Sequence, residues 1–227
     1  MGFIINPYRF AAVFNPLTVT GCKLWLKSDA GITKDGGNLV SQWDDQSGQA
    51  NHLVQATGTN KPLWVDNNRS AKPTINFDGV DNFMKVTSFA GGSIAHPRYL
   101  FIVAKEPSAT SMGFMAEDDE NDPRFRLTGG YDISDQLDLT GGTVALNTWH
   151  YYTILWNGAS SDLRRNAVSV LSGNSGSGGT FNGMTLGALS NGGYGDAQVA
   201  EVLLYNNDIG VTNRNSIEAY LATRWGL

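Results

Sequence analysis

The chain has 227 residues, of which 41% are hydrophobic and only 16% are charged, and its formal net charge is −5. It contains no run of lysine or arginine, so neither a nucleic-acid-binding surface nor an anionic membrane partner is predicted. A single cysteine, Cys22, excludes an intrachain disulfide and a metal site built on paired thiolates.

Glycine is abundant, with 27 residues, and this favours strands joined by tight turns over a helical bundle. The first residues, MGFIINPYRFAAVF, have neither a basic region nor a long apolar run, so no signal peptide is predicted. We therefore expect a protein that is made and assembled in the cytoplasm.

Residues 1–20 form a lead-in segment with an unusual density of aromatic side chains, Phe3, Tyr8, Phe10 and Phe14. As a free tail in water, this apolar surface would be a liability for solubility. Two interpretations stay open: a strand that closes the main sheet, or an arm that docks on another subunit.

Residues 21–227 are predicted to form one domain. About a dozen short runs rich in β-branched or aromatic residues are bounded by Gly, Pro, Asn or Asp, a pattern typical of strands and turns. They include KLWLKSDAG, GNLVSQW, PTINFDG, NFMKVTSF, YLFIVAKE, WHYYTILWNG and AQVAEVLLYN. Their regular spacing favours an antiparallel β-sandwich over a parallel sheet with crossover helices.

The final segment, VTNRNSIEAYLATRWGL, breaks the β pattern and predicts a short amphipathic helix. Its apolar residues recur at helical spacing, at Ile217, Tyr220, Leu221 and Trp225. Thr212 or Asn213 is the predicted N-cap, and Gly226 is the predicted end of the helix.

Four motifs follow one another in a fixed order along the chain. They are W-x-D-x-S-G-x-x-N at Trp43, Asp45, Ser47, Gly48 and Asn51; F-x-G-x-x-D/N at Phe77, Gly79 and Asn82; A-E-V-x-x-Y-N at Ala200, Glu201, Val202, Tyr205 and Asn206; and Y-L-x-x-x-W at Tyr220, Leu221 and Trp225. This order resembles the laminin-G-like members of the concanavalin A-like lectin/glucanase superfamily, found in many proteins of bacteria and their phages.

The resemblance covers residues 22–227 and implies an all-β, antiparallel two-sheet jelly-roll sandwich with a short C-terminal helix. It implies less about function, because the superfamily includes lectins, enzymes and structural modules. From it we expect a non-catalytic bacteriophage virion protein, a capsid decoration or tail component, present in many copies and attached to other virion proteins through residues 1–20. The alternatives are a free-standing lectin or adhesin, and a glycoside hydrolase of the glucanase type.

The hydrolase alternative lacks its motif. The resembling enzymes place their catalytic carboxylates on one strand as E-x-D-x-x-E or E-x-D-x-E, so that alternate residues face the same cleft. No such element occurs in the sequence. The chain is therefore not expected to be an enzyme.

The stretch WDDQSGQANH, residues 43–52, allows two interpretations. In a turn, Asp45 can accept backbone amide bonds while Trp43 packs in the core, which makes the stretch scaffold. Alternatively, its aspartates with Asn51 and His52 form part of a calcium or sugar rim. We favour the scaffold interpretation.

The acidic stretch AEDDENDPR is a further candidate metal site in the sequence. A solvated loop is the simpler interpretation, but carboxylate oxygens from Glu117, Asp118, Asp119 and Asp122 would suit Ca²⁺. No other cofactor is expected.

Sugars stack their C–H faces on aromatic rings and hydrogen-bond through their hydroxyls. Aromatic residues in polar, turn-like sequence are therefore candidates for carbohydrate binding: Trp64, Tyr131 and Tyr194, with Asn51 as a polar partner. The tryptophans on periodic segments are instead predicted to be core residues: Trp25, Trp149, Trp156 and Trp225.

Overall fold

The structure is a computed structural model that describes residues 14–107, 114–117, 123–189 and 193–227. Within these residues two antiparallel sheets pack face to face, and one α-helix, α1 (Gly210–Trp225), covers the outer face of one sheet. The predicted all-β sandwich with a C-terminal helix is therefore confirmed.

Sheet A is the sheet that carries the helix. Its strands in the described residues are β1 (Cys22–Lys27), β5 (Leu63–Arg69), β6 (Lys72–Asp78), β8 (Arg98–Lys105), β13 (Trp149–Trp156), β14 (Ser161–Arg165), β15 (Val168–Gly173) and β17 (Asp196–Tyr205). They are ordered β15-β14-β13-β8-β17-β6-β5, and β1 pairs with the second half of β17.

Sheet B closes the other side of the sandwich. Its strands in the described residues are β2 (Ile32–Lys34), β3 (Val40–Trp43), β4 (Leu53–Val54), β7 (Met84–Val86), β9 (Met115–Ala116), β10 (Arg124–Leu127), β11 (Tyr131–Ser134), β12 (Asp138–Gly141) and β16 (Met184–Leu186). They are ordered β12-β11-β10-β9-β16-β7-β4-β3-β2.

Sheet A separates two hydrophobic clusters. On β8, Leu100 and Ile102 face sheet B and belong to the inner cluster, whereas Tyr99 and Phe101 face α1 and belong to the outer cluster. A strand that is buried on both faces reads as an uninterrupted apolar run, as YLFIVA does. The four tryptophans predicted as core residues are all buried, at Trp25, Trp149, Trp156 and Trp225.

Helix α1 packs through Ile217, Leu221 and Trp225, as its sequence spacing predicted. The predicted N-cap was wrong: the helix begins at Gly210, whose N–H donates to Asp208 Oδ1 at 2.9 Å. It ends at Gly226 in the left-handed conformation, as predicted. In the part of the chain that the structure describes, no helix has both the length and the apolar character needed to cross a membrane.

Part of the lead-in segment packs on the sandwich itself. Pro16 and Val19 are buried, the Tyr205 hydroxyl donates to the Pro16 carbonyl oxygen at 3.1 Å, and the Phe14 ring lies 6.0 Å from that of Tyr220. This part forms a short 3-10 helix, Pro16–Thr18, and not a strand. Residues 1–13 of the predicted arm lie outside the described residues.

The stretch WDDQSGQANH is a turn held together by Asp45. Its Oδ1 accepts the N–H groups of Trp25 at 2.9 Å and Ser47 at 2.8 Å, and its Oδ2 accepts that of Asn51 at 3.0 Å. Asp45 is 7% exposed, and Trp43 is fully buried. The bonds tie β1 to the turn that follows β3, so the scaffold interpretation agrees with the geometry.

Candidate functional site

Trp64 lies on the edge strand β5, opposite Ile75 of β6. The prediction of a turn was wrong here, because the polar residues after Trp64 belong to an edge strand whose register shifts between Val65 and Arg69. The half-buried ring packs against the inner cluster, and its Nε1 donates to the Ser28 carbonyl oxygen at 3.2 Å. Trp64 is thus held in place with part of its surface open to solvent.

A groove of about 430 Å³ opens beside this ring, and we call it the Trp64 groove. It is lined by Ser28, Asp29, Ala30, Gly31, Ile32, Lys34, Trp64 and Pro73. The turn at Gly31 has φ +69°, and a Cβ there would come within 2.5 Å of the Asp44 Cβ. Only glycine fits this approach, and the wall of the groove depends on it.

Two charged side chains lie in the Trp64 groove. Lys34 Nζ lies 4.4 Å from the centroid of the Trp64 ring, at the distance of a cation–π contact. The Asp29 carboxylate accepts two bonds from Arg224 Nη2, at 2.6 and 2.7 Å, and the Nε of the same guanidinium bonds Glu201 Oε2. A ring, an ammonium group and a carboxylate together can stack one face of a sugar and hydrogen-bond its hydroxyls.

A second groove, of about 250 Å³, lies where β6 and β17 pair. We call it the Asp78–Asp196 groove; it is lined by Leu63, Asn76, Phe77, Asp78, Asn82, Asp196 and Gln198. Asp78 and Asp196 are directly opposite in the register. Burial, and secondarily the neighbouring Asp78 charge, raise the pKa of Asp196.

Tyr194 is close in sequence to this second groove. It is half-buried, forms an isolated β-bridge with Ala188, and its ring centroid lies 6.4 Å from that of Phe83. Phe83 follows the groove residue Asn82, and Tyr194 precedes Asp196 by two positions. The Trp64 and Tyr194 rings are thus associated with different grooves, and the four candidate residues do not form one site.

The two other carbohydrate candidates are buried. Asn51 is 1% exposed; its Nδ2 donates to the Lys23 carbonyl oxygen at 2.6 Å and its Oδ1 accepts the Ala90 N–H at 2.6 Å. Tyr131 is 0% exposed and begins β11, where a turn was predicted, and Arg165 Nη1 donates to its hydroxyl at 2.7 Å. Neither offers a surface to a ligand, so the structure contradicts a binding role for both.

Of the calcium candidates, Glu117 is described, and Asp118, Asp119 and Asp122 lie outside the described residues. Glu117 is 1% exposed, and its Oε1 accepts the Asn182 N–H at 3.0 Å. Among the described residues, no group of three His, Cys, Asp or Glu side chains is arranged to hold a metal ion.

Sequence reasoning missed Asp29, Lys34, Asp78 and Asp196. Asp78 and Asp196 each stand next to a glycine at a strand end, Asp78 before Gly79 and Asp196 after Gly195. That local pattern is visible in the sequence. Their pairing depends on the order of strands in sheet A, which the sequence does not display.

Solved structures share this fold. A sialidase of Trypanosoma rangeli superposes with a TM-score of 0.59 at 13% identity, over 90% of this chain and 33% of its own. A GH54 α-L-arabinofuranosidase mutant soaked with 4-nitrophenyl α-L-arabinofuranoside gives 0.55 at 11% identity, over 82% of this chain and 51% of its own. The likeness at these identities shows the fold alone.

A third similar structure is domain 4 of AbnA, a GH43 extracellular arabinanase from Geobacillus stearothermophilus, in complex with arabinotriose. It has a TM-score of 0.50 and 11% identity, and the match covers 82% of this chain and 92% of that domain. The present chain spans about a third of the sialidase's length. Its sequence matches no protein-family model and no curated protein.

Proposed function

We propose that the chain is a non-catalytic carbohydrate-binding β-sandwich that holds a sugar in the Trp64 groove. The observation that carries this proposal is the fixed, half-buried Trp64 ring beside a groove of about 430 Å³. Its size is within the range of small-molecule sites, and its lining combines an aromatic face with a few polar groups. The sugar-bound arabinanase domain with the same fold supports the proposal.

The finer proposal follows the sequence resemblance: a laminin-G-like, concanavalin A-like module of a bacteriophage virion, on the capsid or the tail. One sugar site with a dissociation constant near 1 mM corresponds to about −4 kcal/mol. Many linked copies raise avidity by roughly 10²–10⁴ without new contacts. A weak site on a multicopy virion protein would therefore suffice to hold a host-surface glycan.

The sugar site is tested by a glycan array followed by titration of the hits. Trp64→Ala is expected to abolish binding, because the stacking face is lost. Leu63→Ala is the matched control: it alters the same strand, but Leu63 lines the other groove and is 41% exposed. Full binding by a folded Trp64→Ala protein would contradict the proposal.

The virion placement is tested by co-purification of the chain with phage particles and by electron microscopy of those particles. Attachment through the lead-in segment predicts that a chain lacking residues 1–13 folds but no longer joins the particle. The deletion stops before Phe14 because the next residues pack on the sandwich. A truncated chain that still assembles would remove residues 1–13 from the attachment.

Glycoside hydrolysis is a second candidate function, favoured by the Asp78–Asp196 pair. Retaining hydrolases use two carboxyl groups about 5–5.5 Å apart, with a proton held on one. Asp78 and Asp196 are directly opposite in an antiparallel pair, where the Cβ atoms of the two residues are about 4.5–5.5 Å apart. Burial raises the pKa of Asp196, which makes it the candidate acid of the pair. Release of reducing ends from laminarin or a bacterial capsule, lost in Asp196→Asn, would establish this function in place of the non-catalytic one.

A further inference from the structure

The ammonium group of Lys34 lies over the Trp64 ring. Its Nζ lies 4.4 Å from the ring centroid and also bonds Asn38 Oδ1. Both partners are neutral. Among the described residues, no carboxylate lies within ion-pair distance of Lys34.

Two carboxylates close to Lys34, one in the same groove and one next in the sequence, accept hydrogen bonds from other groups. Asp29 in the same groove is held by Arg224 through two bonds. Asp35, which follows Lys34, accepts the N–H groups of Gly37 at 2.9 Å and Leu39 at 3.0 Å. The groove therefore presents the Lys34 ammonium group, without a direct ion pair among the described residues, over its aromatic ring.

A sugar that stacks on Trp64 must move this ammonium group off the ring. Losing an exposed cation–π contact costs affinity about two- to fivefold. A neutral sugar offers the displaced ammonium group only a hydroxyl to bond, and water offers the same. The carboxylate of an acidic sugar instead accepts a charge-assisted hydrogen bond from the ammonium group, which is stronger and shorter than a neutral one.

We propose that the Trp64 groove selects acidic saccharides, those with a uronic acid residue, and that Lys34 is the residue that determines this specificity. The inference rests on the proposed sugar-binding function and names its ligand class. Lys34 shields the platform from neutral sugars and, once displaced, binds the carboxylate. Among the described residues, the Asp78–Asp196 groove is lined by two aspartates and by no lysine or arginine, so an acidic sugar is not expected there.

The test compares two probes of equal length, trigalacturonic acid and laminaritriose, by calorimetry with the full chain. Wild type is expected to bind the acidic trisaccharide about tenfold more tightly, the effect of one hydrogen bond to a charged group. The difference should shrink in high salt. Lys34→Met, which keeps the apolar stem, should lose this preference and bind the neutral trisaccharide equally well or a few fold better.

Lys72→Met is the matched control. Lys72 Nζ also lies over a tryptophan ring, at 5.7 Å from Trp225, but outside the groove. This variant should bind both probes as wild type does. If Trp64→Ala loses binding of the acidic trisaccharide and Tyr194→Ala keeps it, the acidic sugar binds in the Trp64 groove.

Two results would overturn the inference, and they differ in what they mean. Equal binding of both trisaccharides, with a ratio unchanged by Lys34→Met, removes the specificity but leaves sugar binding intact. Failure of wild type to bind either probe or any array glycan removes the proposed function along with it.

Discussion

The indole N–H of Trp225 donates to Glu201 Oε2 at 2.7 Å, which joins the last turn of α1 to the middle of β17. The other donors to this carboxylate are Trp25 Nε1 at 2.6 Å, the Tyr220 hydroxyl at 2.8 Å and Arg224 Nε at 2.9 Å. Glu201 is fully buried beneath them. The Glu201 carboxylate therefore links β17 to β1 and to α1.

Replacing this carboxylate should destabilise the fold. Glu201→Gln places an NH₂ group against N–H and O–H donors and leaves the Arg224 charge without its buried partner. We expect the free energy of unfolding to fall by roughly 3 kcal/mol, measured by urea denaturation. Asp66→Asn, an exposed acid of β5, is the control and should change it by less than about 0.5 kcal/mol. Equal effects of the two would contradict the structural role of Glu201.

The Asp45 turn gives a second prediction, with a neighbouring residue as its control. Asp45→Asn should cost about 2–3 kcal/mol, because one oxygen that accepts buried N–H groups becomes a donor. Asp44 is half-exposed, and Asp44→Asn should cost less than about 0.5 kcal/mol. Comparable unfolding midpoints for the two variants would show that Asp45 is not the centre of the turn.

Glu106 should make stability depend on pH. Burial raises its pKa from 4.5 to about 7, and the Tyr152 hydroxyl and the Arg165 charge only partly offset this rise. Between these values the unfolded chain loses the proton while the folded chain keeps it. Stability from this group is therefore full below about pH 4.5, falls as the pH rises, and is lost above about pH 7. The total change is about 3 kcal/mol.

This dependence is measured as a difference between variants, because other groups titrate as well. The advantage of Glu106→Gln over wild type in unfolding free energy should grow by about 3 kcal/mol between about pH 4 and about pH 8. Asp66→Asn should show no such growth. A difference that stays constant with pH would mean that Glu106 ionises in the folded state as it does in water.

A comparison of Gly187 with Gly48 distinguishes the stability cost of overpacking from that of backbone strain. Gly187 and Gly48 have almost the same φ, +88° and +85°, but a Cβ on Gly187 would lie 2.2 Å from Phe77 Cδ1, whereas Gly48 has open space around it. Gly48→Ala should cost about 1 kcal/mol, the strain of the left-handed conformation. Gly187→Ala adds overpacking in the core and should cost roughly 3 kcal/mol or more. Thermal unfolding of both variants gives the comparison, and equal losses would contradict the contact with Phe77.

Local chemistry could be predicted from the sequence wherever a residue's partners are near it in the chain. The Asp45 turn and the apolar stripe of α1 are of this kind. Trp64 was wrongly placed in a turn, because the sequence of an edge strand made of polar residues resembles that of a loop. Tyr131 was misplaced for the same reason: its polar flanks belong to a strand, and its hydroxyl partner is Arg165 of β14.

The charged part of the candidate site could not be predicted, because it comes from pairings between distant segments. Lys34 covers Trp64 through contact between β2 and β5, and Asp78 meets Asp196 through the pairing of β6 with β17. A sequence pattern shows that such residues exist at strand ends. It does not show which of them become neighbours in space.

The hydrogen-bond donors to Glu201 are synthesised at very different times. One of its donors, Trp25, leaves the ribosome two hundred residues before another, Trp225. Until then the outer surface of sheet A lacks its helix and exposes tyrosine, phenylalanine and tryptophan side chains. The sandwich therefore cannot complete its fold until α1 has been synthesised, and this is the period in which chaperones would have to protect it.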